Sequence, residues 1–276
     1  MKLSIILLLS FLSQLIYAQD SEALSVVQLT YDYKFKVFED DDQFKNEMML
    51  LSINGSKMSF MPRSQYKLDS IYFITKKPAP TIEAEMSLIG DMQKSKNPYR
   101  VYTENNTVKY RRSLNVNHYE YKEDLDLKWN LLPGSKNILG YECREASTRY
   151  AGRVWHAWYA VDIPFNAGPY KFKGLPGLIL NVYDKQSLFD FKAISLEQVN
   201  FIEYDPTTPV ENNDVVENIE PERFMKLLKS FDKLSIVEKF SFGMNQKVKV
   251  RSADGEDISR KVNQRSTKKR LYIESY

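Results

Sequence analysis

The first clear pattern along the chain is an alternation of apolar and polar residues between positions 25 and 38. The apolar members share one parity: Val27, Leu29, Tyr31, Tyr33, Phe35 and Val37. The polar members hold the other parity: Gln28, Thr30, Asp32, Lys34 and Lys36. A period of two residues matches the pleat of a β-strand, so the pattern predicts a long strand with one buried face.

Shorter apolar segments separated by turn signals follow this first strand. The predicted strands are residues 48–59, a hairpin about Asn54-Gly55; residues 66–75; residues 100–110, bent at 104–106; and residues 127–131, ended by Pro133-Gly134. Turn signals at such short intervals are typical of an antiparallel meander.

Residues 140–193 give the most regular succession of strands and turns. Two strands, 141–150 and 153–160, flank an Ala-Gly turn, and a loop rich in Pro and Gly follows at 162–170. A strand that ends at Tyr183, a turn at 184–187 and a strand at 189–193 complete the block. The sequence therefore predicts a continuous, curved antiparallel sheet or half-barrel, in a fold that is mainly β with minor α (α+β).

The segment Phe172–Tyr183, FKGLPGLILNVY, has the chemistry of a turn but is almost wholly apolar. Pro176 and Gly177 predict a type II turn with a positive φ at Gly177, and Gly174 predicts a close approach of the backbone. Two positions for Leu175 are open. The favoured one is an inward-folded corner that caps the core, and the other is an exposed patch that recognises a partner.

Residues 221–234 have the spacing of one amphipathic helix that packs on the sheet. Its apolar positions are Phe224, Leu227, Leu228, Phe231 and Leu234. Beyond it, residues 247–270 contain nine Lys or Arg and three Asp or Glu. We interpret residues 244–276 as a basic segment that forms an added strand or a flexible tail, with binding to anionic headgroups or a partner as the alternative.

The chain begins with the features of a secretory signal peptide. Lys2 precedes an apolar run at 3–18, which ends at the small residue Ala18. We therefore expect residues 1–18 to be removed near Ala18 and the protein to be exported, to the periplasm or the outer membrane. A membrane anchor is the alternative. No second long apolar run follows, so we expect no transmembrane span in the mature chain and one β-rich domain over residues 19–243.

Composition agrees with a β-rich globular protein, because 18 Tyr and 15 Phe stand against 10 Gly. A net charge of +3 does not favour a nucleic-acid partner.

Few residues have the chemistry of a catalytic or metal site. A zinc site would need Cys143, His118 and His156, and the stretch from Met48 to Met92 contains six Met that could bind copper(I), although without a regular series. Acids that could pair are Glu142, Glu145, Asp162 and Asp184. No known catalytic motif is present, so we assign no catalytic residue, cofactor or metal ligand.

Two runs carry a resemblance to a known family. The run AGPYKFKGLPGLILNVYD, with GYECREASTRYAGRVWHAWYAVDIP before it, resembles the GLPGLI family of exported Bacteroidetes proteins. The motif is Gly174, Leu175, Pro176, Gly177, Leu178 and Ile179, within a signature block at 140–190. The family is of unknown function, so the resemblance implies no catalytic residue. The architecture is similar to the half-barrel of periplasmic lipoprotein carriers, which implies an apolar cavity between sheet and helix.

These features favour a non-enzymatic periplasmic binding or envelope-associated protein, whose partner is a hydrophobic ligand or an outer-membrane protein. The candidate functional surface is Trp155, His156, Trp158 and Tyr159. The alternatives are a hydrolase-like enzyme that uses His156 with a nearby acid, a metal-binding periplasmic protein and a purely structural envelope protein.

Overall fold

The structure, a computed structural model, describes residues 24–75, 95–201, 205–209, 216–244, 254 and 269–274. The predicted signal peptide and most of the basic C-terminal segment lie outside these residues. The strands are β1 Leu24–Phe35, β2 Lys45–Asn54, β3 Lys57–Pro62, β4 Tyr99–Glu104, β5 Thr107–Leu114, β6 Asn117–Asp124, β7 Trp129–Ile138, β8 Tyr141–Tyr150, β9 Arg153–Ala160, β10 Leu178–Asp184, β11 Phe189–Phe201 and β12 Val216–Asn218. The helices are α1 Arg63–Thr75, α2 Pro221–Lys233 and α3 Ile236–Ser241.

The described strands form one twelve-stranded sheet in the order β12-β6-β5-β4-β3-β2-β1-β11-β10-β9-β8-β7. Neighbouring strands are antiparallel except β12 and β6, which are parallel. The mainly β fold with minor α is confirmed. The parallel pair makes the sheet mixed, which differs from the fully antiparallel sheet that the sequence predicted.

The sheet is strongly curved, and the connection from β6 to β7 requires this. These two strands are ten places apart in the strand order, which in a flat sheet would separate them by about 48 Å. Only residues 125–128 join them, and five extended residue steps span at most roughly 18 Å. The sheet therefore curls until its two ends approach each other, as predicted for a half-barrel.

Aromatic side chains on the inner face fill the half-barrel. On β1, Tyr31, Tyr33 and Phe35 are buried as the alternation predicted, and the ring of Tyr33 stacks on Phe191 with centroids 4.0 Å apart. Gln28, on the opposite face, is also buried, and it donates to the Ser52 hydroxyl at 3.0 Å. Part of β1 is therefore buried on both faces, whereas its alternating pattern predicted one buried face.

Residues 66–75 form part of helix α1, so the strand predicted there is wrong. Gln65 and Asp69, one helical turn apart, are both buried and hydrogen-bonded to each other at 2.8 Å. Arg100 on β4 donates to Asp69 through two nitrogens, each at 2.8 Å. This ion pair holds the polar face of the helix against the sheet, and the Tyr, Ile and Phe content of the segment gave no sign of it.

Pro133-Gly134 does not end a strand, as predicted, but lies inside β7. The pairing of β7 with β8 shifts register between Leu132 and Ser135, so Pro133 and Gly134 have no paired residue on β8. Strand β7 is at the edge of the sheet, so it has a neighbouring strand on one side only. Proline has no amide hydrogen to donate, and an edge strand tolerates it because no hydrogen bond between strands is lost.

The GLPGLI turn folds inward, as favoured by the sequence. Leu175 is only 2% exposed, and Leu178 and Ile179 are fully buried. The hydroxyl of Tyr31, on β1, donates to the carbonyl of Ile179 at 2.5 Å. The turn is therefore a corner of the core rather than an exposed patch.

The two glycines of the motif exchange the roles that the sequence predicted for them. Gly174 has the positive φ, at +100°, and Gly177 does not, so the predicted type II turn is wrong. A Cβ at Gly177 would lie 2.2 Å from the carbonyl oxygen of Ala160. Gly177 is therefore required for a close approach to β9, and Gly174 for the backbone direction.

Helix α2 matches its predicted bounds and packs on the inner aromatic residues. Phe224 is buried with its ring centroid 5.5 Å from that of Tyr110 and 5.6 Å from that of Tyr121. A cavity of only about 50 Å³ remains at this end of the interior, beside Met225 and Leu228. The predicted apolar cavity between sheet and helix is therefore replaced by packed side chains.

Residues 269–274, which we name the C-terminal strap, pack back onto the domain. The amide of Leu271 donates to the Val37 carbonyl at 3.0 Å, and the amide of Glu39 donates to the Lys269 carbonyl at 2.9 Å. Glu274 is 1% exposed. Residues 269–271 thus pair with residues 37–39 around an antiparallel bridge between Phe38 and Arg270. The added strand or flexible tail over residues 244–276 stays a prediction, because most of that segment lies outside the described residues.

Among the described residues, no helix is long and apolar enough to cross a membrane.

Candidate functional site

A cavity of about 660 Å³ lies on the outer side of the C-terminal strap, and we name it the strap cleft. Helix α2, the start of β9, the turn between β10 and β11, and residues 38–39 form its other walls. Its apolar lining is Phe38, Val154, Leu188 and Leu271. The cleft therefore has an apolar wall.

Positive charge predominates in the strap cleft. The basic side chains among the described lining residues are Arg153, Lys185, Lys229, Lys233, Lys269 and Arg270. The acidic ones are Glu39, Asp184 and Asp232, and each pairs with one of these cations: Glu39 with Lys269 at 2.7 Å, Asp184 with Arg153 at 3.2 Å and Asp232 with Arg270 at 3.4 Å. Six cations against three anions leave a net positive lining.

Arg153 and Asp184 form a rigid part of the cleft wall. Asp184 is 1% exposed, and its Oδ1 accepts from the amides of Leu188 and Phe189 at 2.7 and 2.9 Å. Arg153 donates to the other oxygen of Asp184 and, through Nε and Nη2, to the carbonyl of Tyr272 at 3.3 and 3.2 Å. This pair therefore joins the wall of the cleft to the strap.

Beneath the strap lies a second group of polar side chains, the buried lysine cluster: Lys171, Glu123, Glu274, Tyr121, Tyr150 and Tyr170. The ammonium of Lys171 is fully buried, contacts Glu123, and lies 2.5 Å from Glu274 and 2.8 Å from the Tyr121 hydroxyl. The hydroxyls of Tyr170 and of Tyr150, the latter at 2.9 Å, donate to the same oxygen of Glu274.

This cluster fixes the ionisation of Glu274. Burial acts to raise the pKa of Glu274, but the ion pair with Lys171 and the hydrogen bonds from Lys171, Tyr170 and Tyr150 outweigh it and hold the pKa below its usual value. Burial raises the pKa of Tyr170 well above its usual value, so this hydroxyl remains a donor. Glu274 is therefore a charged carboxylate inside the protein.

Stability should accordingly depend on pH through Glu274. Because its pKa is lowered by folding, its contribution is present above the unfolded value of about 4.3 and is lost as the pH falls through the folded value. We expect the stability difference between the wild type and Glu274→Gln, measured by urea unfolding, to shrink as the pH falls below about 4. The exposed-site variant Glu222→Gln is the control. A difference that stays constant from pH 7 to pH 3 would contradict this expectation.

The four residues of the candidate functional surface do not form one surface. Trp155 and Tyr159 are buried in the core, whereas His156 and Trp158 are half-buried on the outer face. Alternation along β9 separates them, because neighbouring side chains of a strand point to opposite faces. Their proposed common role is therefore withdrawn, and the strap cleft replaces this surface as the candidate site.

His156 has a carboxylate partner but no connection to the cleft. Its Nδ1 lies 3.0 Å from Glu145 Oε1, and its ring stacks on Tyr183 with centroids 5.6 Å apart. His156 lines neither the strap cleft nor the cavity of about 300 Å³ beside α1. This geometry is that of a hydrogen-bonded strand histidine.

The residues that the alternative of a metal-binding protein would need are not brought together among the described residues. Cys143 is buried on β8, and burial raises the pKa of its thiol, whereas His118 on β6 pairs with the Ser113 hydroxyl at 2.7 Å. No group of three His, Cys, Asp or Glu suitable for a metal occurs in the described part of the chain. Of the Met-rich stretch, Met49, Met58 and Met61 pack in the core.

Sequence reasoning missed Lys171, Glu274 and Arg153. Lys171 and Lys173 alternate with aromatic residues in an otherwise apolar loop, and this was the one available signal. Glu274 was hidden in a segment noted only for its positive charge.

Comparison with known proteins finds one family model that matches a short part of the chain. Residues 151–181 match the model of a family described as "Protein of unknown function (Porph_ging)". That family is uncharacterised. The matched segment runs from the turn before β9 to β10, and it contains Arg153, Lys171 and the whole GLPGLI motif.

Two solved structures have a similar fold, PNGF-II in the P21 and C2 space groups. Their TM-scores are 0.50 and 0.51, with 14% sequence identity in both cases. The match covers 76% of this chain and 34% of theirs, so this chain spans about a third of the length of either one. At this identity the likeness concerns the β-rich fold alone. No curated protein matches the sequence.

Proposed function

We propose that this chain is a non-enzymatic binding protein of the GLPGLI type, exported to the periplasm or the outer membrane, and that the strap cleft binds an anionic amphiphile. The observation that carries the proposal is the lining of the cleft, in which a net positive charge faces an apolar wall. The family match supports only membership in an uncharacterised group, so the site itself supplies the chemistry.

The cleft has the size and composition of a small-molecule site. Its volume of about 660 Å³ is within the range that ligand pockets usually have. Leu188 and Leu271 offer apolar contacts to an acyl or similar chain, and Lys185 and Lys233 offer charge to an acidic headgroup. The sequence favoured a ligand-binding cavity between the sheet and the helix. Because the cavity near α2 has a volume of only about 50 Å³, we propose that the ligand binds in the strap cleft instead.

Fluorescence titration of the full chain with 11-(dansylamino)undecanoic acid tests this proposal. We expect saturable binding that dodecanoate displaces better than dodecanol. The double variant Lys185→Glu and Lys233→Glu should weaken binding about tenfold or more, equivalent to about 1.4 kcal/mol. Lys57→Glu with Lys122→Glu, which reverses two exposed lysines away from the cleft, is the matched control.

Two results would contradict the proposal. One is a probe that gains no fluorescence with the wild type. The other is a control variant that weakens binding as much as the cleft variant does. The export part is tested separately by the intact mass of protein recovered from its native cell envelope, which should lack residues 1–18. A mass that retains them would argue against export with cleavage.

A further inference from the structure

The geometry points to a carboxylate-binding site at Lys171 that the chain's own Glu274 occupies, and that receives the carboxylate of an anionic amphiphile when the C-terminal strap moves aside. This inference rests on the proposed function, because the ligand first enters the strap cleft, where Lys185 and Lys233 attract its acidic group, and that group then moves on to Lys171. It names a carboxylate attached to an apolar chain as the ligand class.

The first support is that the site is fully built without the strap. Lys171 and Tyr170 come from the loop between β9 and β10, Tyr150 from β8, and Tyr121 from β6. All four are buried, and their ammonium or hydroxyl groups converge on the carboxylate of Glu274. One ammonium with several hydroxyl donors is the set of partners that a desolvated carboxylate requires.

The second support is the chemistry of the strap. Leu271 is half-buried and Ile273 buried, and the buried carboxylate of Glu274 follows them. An apolar segment that ends in an acid has the same order of groups as an acyl chain with its carboxylate. The strap thus has the features of a covalently attached substitute for a ligand.

The third support is the position of the strap between two cavities. Arg270, Leu271 and Tyr272 line both the strap cleft and the inner cavity of about 50 Å³, and Glu274 lines the inner one. The strap is therefore the wall that separates the cleft from the buried lysine cluster. Its displacement would connect the two spaces and give a ligand in the cleft access to Lys171.

The exchange also keeps the buried charge paired. Lys171 contacts Glu123 as well as Glu274, so its ammonium retains one anionic partner while the strap leaves. The incoming carboxylate then replaces the outgoing one against the same donors. This matters because an unpaired charge inside a protein is strongly unfavourable.

The first experiment compares full-length variants in the dansyl-undecanoate titration. Glu274→Ala should bind the probe at least tenfold more tightly than the wild type, because the competing carboxylate is gone. Adding Lys171→Met to Glu274→Ala should remove this gain. Glu222→Ala, which removes an exposed acid on α2, should leave the affinity unchanged. The inhibition constant of dodecanol, corrected for the affinity of each protein for the probe, should be the same for all of these proteins.

The second experiment uses the wild-type chain, so it does not depend on how well a variant folds. Hydrogen exchange of the strap amides, including the Leu271 amide that bonds to Val37, should become faster when dodecanoate saturates the protein. Dodecanol at the same concentration should have no such effect.

The outcomes separate this inference from the proposed function. If dodecanoate binds the wild type, but the strap amides keep their protection or Glu274→Ala binds no more tightly, the inference fails and the proposed function stands. If neither the wild type nor Glu274→Ala binds the probe, both fail. A gain in Glu274→Ala that survives Lys171→Met would also overturn the inference.

Discussion

Replacing Lys171 with Met is expected to lower the free energy of unfolding by about 3–5 kcal/mol at pH 7. The ammonium of Lys171 is the cation that both Glu274 and Glu123 contact, and its side chain is fully buried. Methionine has a similar shape but no charge, so two carboxylates would lose their partner inside the protein or at its edge. Urea unfolding followed by intrinsic fluorescence measures the change.

Two further variants test whether the loss of stability comes from the buried ion pairs. Lys128→Met removes a lysine that is 85% exposed, and it should change stability by no more than about 0.5 kcal/mol. Adding Glu274→Gln to Lys171→Met should restore part of the loss, because it removes one of the two uncompensated charges. If Lys171→Met lowers the free energy of unfolding by less than about 1 kcal/mol, the ion pairs of the buried lysine cluster contribute little to stability and this account of the cluster is wrong.

Replacing Gly177 with Ala is expected to destabilise the protein by about 3 kcal/mol or more. The new methyl carbon would lie 2.2 Å from the carbonyl oxygen and 2.8 Å from the carbonyl carbon of Ala160. Neither backbone can easily move away, because Leu178 is paired with Ala160 at the start of the β9–β10 ladder. Thermal or urea unfolding measures this effect.

Gly55→Ala is the matched control for the same measurement. Gly55 has a φ of +57° and no atom within 4 Å of an added Cβ, so its substitution costs only the backbone strain, roughly 1–2 kcal/mol. Equal losses in the two variants would show that the contact between Gly177 and Ala160 is not what the motif requires.

Local patterns predicted much of the fold correctly. The alternation of β1, the hairpin at Gly55 and the apolar spacing of α2 each depend on residues close together in the chain, and each was confirmed. Helix α1 could not be predicted in this way, because its polar face is held by Arg100, a residue of β4. Its own residues favoured a strand.

The site was less predictable than the fold, for a physical reason. Lys171 and Glu274 are separated by 103 positions in the sequence, and no local spacing links them. The strap also belongs to a segment in which basic residues outnumber acidic ones, so its one buried acid did not stand out. The role of Gly177 was missed for the same reason. Its close approach to Ala160 depends on how the loop packs against β9, whereas the local sequence indicated only a turn with a positive φ.

The most direct test of the account is a crystal structure of the full-length protein grown with 12-bromododecanoate, in which anomalous scattering locates the bromine. The account predicts a bromine peak within the strap cleft, against the apolar side chains of Val154 and Leu188. Bromine found only on the outer face of the sheet, or no peak in the cleft of crystals that contain the ligand, would contradict it.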